Sequence, residues 1–288
     1  MIPKTNILKT LCFTTLLLAL CGLMGGRLHA QEYSTEIVAD SLTRLVQAQS
    51  EAIDRGDYPE AEKLLRQALP LIRDKNARAM LLTNLGTVYQ RLAQLDQALL
   101  SYSAALALNE DLASTRDSRA MIYAATGKMQ QAVLDYSYLC QLYPLNEIYR
   151  YKRAMVYVSM KRYAEAEADL CSILEHNTGS LKASEGLALV YTLTGQYDRA
   201  ERLYNDLIEK LPGQSLGYEG RARLFLLSGK PGFALRDIDK AFECTDQPSA
   251  ALYRLRADIC QIIGDEKAAH ADRSMAERMT SAQIRGDR

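Results

Sequence analysis

Between Tyr89 and Phe225 an aromatic side chain recurs every 34 residues, at Tyr89, Tyr123, Tyr157, Tyr191 and Phe225. Nine residues after each stands an alanine: Ala98, Ala132, Ala166, Ala200 and Ala234. A single globular core gives no reason for such a beat. Stacked copies of one supersecondary unit do, because each copy buries the same positions against its neighbours. The chain therefore reads as a solenoid whose function must be sought on its surfaces.

The rest of the period supports close helix packing. Gly86, Ala120, Ala154, Ala188 and Ala222 keep one helix surface flat, and Ala61, Ala98, Ala132, Ala166, Ala200, Ala234 and Ala269 do the same on its partner. Two such surfaces can approach closely, with aromatics filling the space that the small residues leave. Glycines fall at the turn between the two helices in five copies, from Gly56 to Gly264, where a helix stop with positive φ is common.

Small residue, aromatic, alanine, second aromatic and a proline such as Pro144 or Pro212 resemble, in that order, the tetratricopeptide repeat (TPR). The resemblance implies an all-α, right-handed superhelical solenoid of two-helix units, helix A followed by helix B. About seven units are expected, near 42–75, 79–112, 113–146, 147–180, 181–214, 215–248 and 250–279, after a short lead-in at 31–41 and before a disordered tail at 280–288. Three extra residues after the first unit and one after the sixth fall in loops.

Comparing the copies exposes a second regularity. At the seventh position four units carry Arg119, Arg153, Arg221 and Arg256, where the family usually has leucine. Sixteen residues on, the same four units carry Asp135, Asp169, Asp237 and Asp272. The three units without the arginine have Leu64, Ser101 and Leu203 there instead. Arginine appears only with aspartate, so each pair is expected to bridge helix A to helix B within a unit. That reading removes the arginines as a phosphate ladder, since each already has a carboxylate.

The amino terminus bears on location. Lys4 and Lys9 precede an apolar run from Leu11 to Met24, and Leu28-His29-Ala30 places a small residue before a cut that would leave Gln31 first. This is the layout of a secretory signal peptide over residues 1–30 and predicts export to a bacterial periplasm or cell envelope. A lipoprotein signal at Cys21 and an uncleaved anchor are the alternatives. Cys21 lacks a small residue before it, and the run is short for a span.

Without the leader, 32 basic residues face 35 acidic ones, which offers little to nucleic acid or to an anionic membrane surface. No second long apolar stretch predicts membrane insertion of the mature chain. Cys140, Cys171, Cys244 and Cys260 show no metal-ligand spacing. Cys140 with Cys171 is the better disulfide pairing, and four free core thiols are the simpler expectation.

No nucleophile elbow, phosphate loop or HExxH motif occurs. His176 and His270, the two histidines of the mature chain, have no evident partners. No catalysis, cofactor or metal is expected. Arg-Gly-Asp occurs at residues 55–57 and 285–287 and is read as turn and tail chemistry.

What remains is binding of a protein or peptide. The resemblance implies a concave groove lined by the second, fifth, ninth, twelfth and thirteenth positions of each helix A. Carried onto this chain, those positions give Asp117, Met121, Tyr151, Met155, Lys182, Glu185, Leu189 and Thr192, then a charged end with Glu219, Arg223, Arg254 and Asp258. The family's carboxylate clamp is missing: Thr83, Thr87, Ser114 and Ser118 stand where its Lys, Asn and cations would be. Met121, Tyr151, Met155 and Leu189 instead suggest an adaptable apolar strip. Self-association through the last unit, by Met275, Ala276 and Met279, is the alternative.

Overall fold

The computed structural model describes residues 30–286, with side chains over 41–281. The leader and the Cys21 alternative lie outside the described residues, as does Asp287 of the second Arg-Gly-Asp.

Fourteen α-helices make up the described residues, with no strand among them. They form seven antiparallel pairs: α1 (Ala30–Asp54) with α2 (Tyr58–Ala68), α3 (Lys75–Arg91) with α4 (Leu95–Leu108), α5 (Ala113–Ala125) with α6 (Met129–Leu142), and α7 (Glu147–Ser159) with α8 (Tyr163–His176). Next come α9 (Leu181–Leu193) with α10 (Tyr197–Lys210), α11 (Ser215–Leu227) with α12 (Pro231–Glu243), and α13 (Ala250–Ile263) with α14 (Glu266–Gly286). Two ends differ from expectation. Residues 31–41 belong to α1 instead of forming a separate lead-in, and 280–286 continue α14 where a disordered tail was predicted. Neither stretch contains a glycine or proline that would break the helix before Gly286.

The chain divides into two compact units, up to Leu139 and from Cys140 on. In the first, Leu65, Leu81, Val88 and Tyr102 are buried with Ala61 and Ala98. In the second, Leu170, Val190, Tyr204, Leu224, Ile238 and Ile259 surround the repeat alanines, Ala154, Ala166, Ala188, Ala200, Ala222 and Ala234. Small residues are closely fitted: a Cβ on Gly86 would lie 2.6 Å from the Tyr102 ring, and one on Gly220 would overlap Tyr204 Cε1.

Each predicted arginine meets its aspartate. Arg119, Arg153, Arg221 and Arg256 all donate from Nε and Nη2 to the two carboxylate oxygens of Asp135, Asp169, Asp237 and Asp272, at 2.6–2.8 Å. The bidentate fork fixes both position and orientation. All four aspartates are buried, whereas the arginines keep partial access to water. Bonding to Asp169 holds the Arg153 guanidinium above its already high range.

Two features of this lattice were not foreseen. The remaining arm of the fork reaches back to the preceding helix B: Arg119 Nη1 donates to Ser103 Oγ at 3.1 Å and Arg221 Nη1 to Asn205 Oδ1 at 2.6 Å. Each of these arginines thus ties two repeats together. Arg116 also joins Asp135, at 3.2 Å, and stacks 3.7 Å from the Tyr138 ring centroid.

The turns inside the hairpins share one backbone shape. Gly56, Gly127, Gly195, Gly229 and Gly264 have φ between 75° and 86°. The two hairpins that lack the glycine make the same turn with Ala93 (φ 57°) and Lys161 (φ 59°). A side chain there crowds its own backbone. Asp57, inside the first Arg-Gly-Asp, caps α2: its carboxylate accepts the Glu60 N–H at 3.2 Å. The four cysteines are free, so Cys140 and Cys171 do not bridge.

Arg153→Leu alone should destabilise the fold by about 3 kcal/mol, since it strands a buried carboxylate. Adding Asp169→Leu should recover much of that loss, and urea melts of the cycle read the coupling; strictly additive effects would mean that the bridge is inert. Ala93→Gly and Lys161→Gly should each stabilise by about 1 kcal/mol through relief of the left-handed strain. A melt at or below that of the parent would contradict this.

Candidate protein-binding surface

In the second unit the A helices pack side by side: α7 on α9, α9 on α11, and α11 on α13. On any helix the fifth, ninth and thirteenth positions follow at i, i+4 and i+8 and share a face. The face of α7 carries Tyr151, Met155 and Ser159, and that of α9 carries Glu185, Leu189 and Leu193. On α11 the set is Glu219, Arg223 and Leu227, and on α13 it is Arg254, Asp258 and Ile262.

The first half of this surface is drawn into the core. Tyr151 and Met155 pack against buried side chains, close to the bare backbone of Gly186. Leu189 is half-buried. Thr192 is no surface residue at all: it is 2% exposed and its hydroxyl donates to the Ala188 carbonyl at 2.8 Å. The twelfth position turns under the helix here, toward the Tyr204 phenol.

The charged residues are mostly spoken for. Arg223 Nη2 donates to Glu219 Oε1 at 3.1 Å. Arg254 Nη2 donates to Thr280 Oγ1 at 2.8 Å, and Asp258 faces Arg273 at 3.7 Å. Lys182 is exposed at the start of α9. Glu185 differs from these, being half-buried with no hydrogen bond or ion pair among the described residues. Burial first, and then the Glu219 charge, push its carboxyl up, only partly opposed by Arg223 and Lys182. Burial likewise pushes the Tyr204 phenol up to about 12. The Tyr151 phenol is raised by burial and then by Glu185.

Beside this charged band runs an apolar one. Leu193 is 38% exposed, Leu227 50% and Ile262 60%, one per repeat at the thirteenth position. None of these three was singled out from the sequence. The signal was available, since Leu193 follows Leu189 by one helical step of four and Leu227 repeats Leu193 after 34 residues.

In the first unit, Met121 is 40% exposed, and burial, followed by the Asp117 charge, pushes the buried Tyr136 phenol up. Met275 and Met279 of α14, expected to offer a face to a second copy, are half-buried, and Ala276 between them is buried. His176 Nδ1 lies 2.8 Å from the Ser172 carbonyl, and His270 is exposed. Among the described residues no three His, Cys, Asp or Glu side chains converge as a metal site, and no helix is long and apolar enough to cross a membrane.

Tetratricopeptide-repeat family models match residues 47–111 and 157–224. A crystal structure of a tetratricopeptide repeat protein from Parabacteroides merdae ATCC 43184 superposes with a TM-score of 0.78. It is 34% identical in sequence, over 83% of this chain and 93% of that one. The chain is a tetratricopeptide repeat protein. MamA, at 20% identity over 58% of this chain and 91% of its own, has a TM-score of 0.50 and shares the TPR fold. No curated protein matches the chain. Within the TPR framework, the face of α9, α11 and α13 is a surface of helix A positions, charged along one band and apolar and exposed along the other.

Ionising Glu185 against its burial costs stability. Its folded-state carboxyl is raised, so the favourable contribution belongs to the protonated form and is lost as pH rises through the raised value. Glu185→Gln should therefore raise the Tm at pH 7 and leave it unchanged at pH below the ordinary carboxylate range. A melting difference that does not vary with pH would exclude this origin.

Proposed function

We propose that this TPR protein is an exported scaffold without chemistry of its own, which binds a segment of another protein on the face formed by α9, α11 and α13. The carrying observation is the row Leu193, Leu227 and Ile262, three large apolar side chains kept in water at equivalent positions of successive repeats. Leaving one leucine exposed is ordinary, but a row in phase with the repeat lines a common surface, where each added contact removes further apolar area from water. Membership of a family of helical-repeat scaffolds supports a binding role, and the charged leader with its apolar run supports action outside the cytoplasm. The neighbouring ion pairs leave little unsatisfied charge, so apolar contact supplies the affinity and the charged band the register.

The experiment is crosslinking in cell envelopes with the tagged chain, whose mature form should begin at Gln31 and fractionate with the periplasm. A partner captured by the parent should be lost with Leu193→Glu/Leu227→Glu. Both changes lie on exposed side chains, so the variant should melt with the parent. Retention of the same partner by that folded variant would remove this face as the binding surface.

A further inference from the structure

The occupant of this face can be described more closely, on the reading just given. Along the band formed by the fifth and ninth positions, the carboxylates of Glu185 and Glu219 lie within electrostatic reach of each other. One cation, Arg223, stands between them in charge terms, and its hydrogen bond goes to Glu219. Lys182, one turn earlier on α9, points into water without an ion pair to Glu185. Of the elements packed beside it, α7 sets the Tyr151 phenol and α10 the buried Tyr204 phenol within electrostatic reach of Glu185. Glu185 is thus a half-buried carboxylate with phenols around it and a second carboxylate opposite, while its neighbours on the same face are paired. Apolar residues flank it: Met155 and Leu189 within the face, and the exposed row from Leu193 to Ile262 two helical steps away.

We infer that the segment this face receives is amphipathic and basic: its apolar side chains cover Leu193, Leu227 and Ile262, and one Lys or Arg enters beside Glu185 and pairs with its carboxylate. Charge complementarity decides the sign. An acidic segment would place a third negative charge beside Glu185 and Glu219, and a neutral one would bury Glu185 further with nothing to satisfy it. A cation supplies the missing counter-charge and turns the desolvation that opposes ionisation of Glu185 into a stronger ion pair. This is opposite in sense to capture of an acidic carboxyl terminus.

Three fluorescein-labelled amphipathic peptides test the idea. They share one leucine face and differ at a single central residue: Lys, norleucine or Glu. Fluorescence anisotropy with the purified chain should rank Lys tightest, by about tenfold over norleucine, with Glu weakest. In Glu185→Gln the Lys preference should collapse to within about twofold while the norleucine peptide binds as before. For the parent, the Lys preference should also shrink as the pH is lowered through the raised carboxyl range of Glu185. Equal binding of the three peptides, or a Lys preference that survives Glu185→Gln, would overturn the basic occupant. If Leu193→Glu/Leu227→Glu still abolishes binding of all three, the scaffold reading stands without it. Binding indifferent to both variants, or none by any peptide, overturns the assignment of the face itself.

Discussion

The structure depends on how closely helix A can approach helix B. Alanine or glycine at a fixed phase lets the two backbones come near, and one large aromatic from across the interface occupies the gap, as Tyr102 does against Gly86. Because interiors pack at crystal-like density, that pairing leaves no tolerance for a larger residue on the small side or a smaller one on the large side. A hairpin built this way hides one side of each helix and exposes the other, and it can be copied. Copying it produces the row of A helices on which the candidate surface lies.

The bidentate arginine-aspartate bridges add a different kind of constraint. Apolar contacts between helices are forgiving of small slides, whereas a fork gripping both oxygens of a buried carboxylate is not. Arg119 and Arg221 extend the grip to the preceding helix B through Ser103 and Asn205, so register passes from hairpin to hairpin. Replacing such pairs with apolar side chains can cost little stability. Their contribution here is geometric, fixing helix A against helix B in the units that carry them.

Glu185 shows what happens where this economy is left open. Among the fifth- and ninth-position charges of α9, α11 and α13, Glu219, Arg223, Arg254 and Asp258 each have a partner, and Glu185, with none among the described residues, is also partly desolvated. Unmet charge beside unmet apolar area on one face gives that face a chemical preference, and this separates it from the solvated outer helices, whose ion pairs of the Lys63–Glu60 type are exposed and local.

The sequence by itself determined the repeat, the seven hairpins, the small-residue seams and the four ion pairs, because each depends on contacts at fixed sequence offsets that every copy reports again. Residues such as Arg153 and Asp169 could be paired by comparing copies alone. The tertiary structure decided which helix A positions meet water. Thr192 is buried and Leu193 exposed, one residue apart, because the rotation of α9 against α10 sets the edge of the face, and a period of 34 is silent about rotation. It likewise decided that Glu185 is left unpaired. Those outcomes come from the balance of packing among neighbours distant in sequence, which no single repeat encodes.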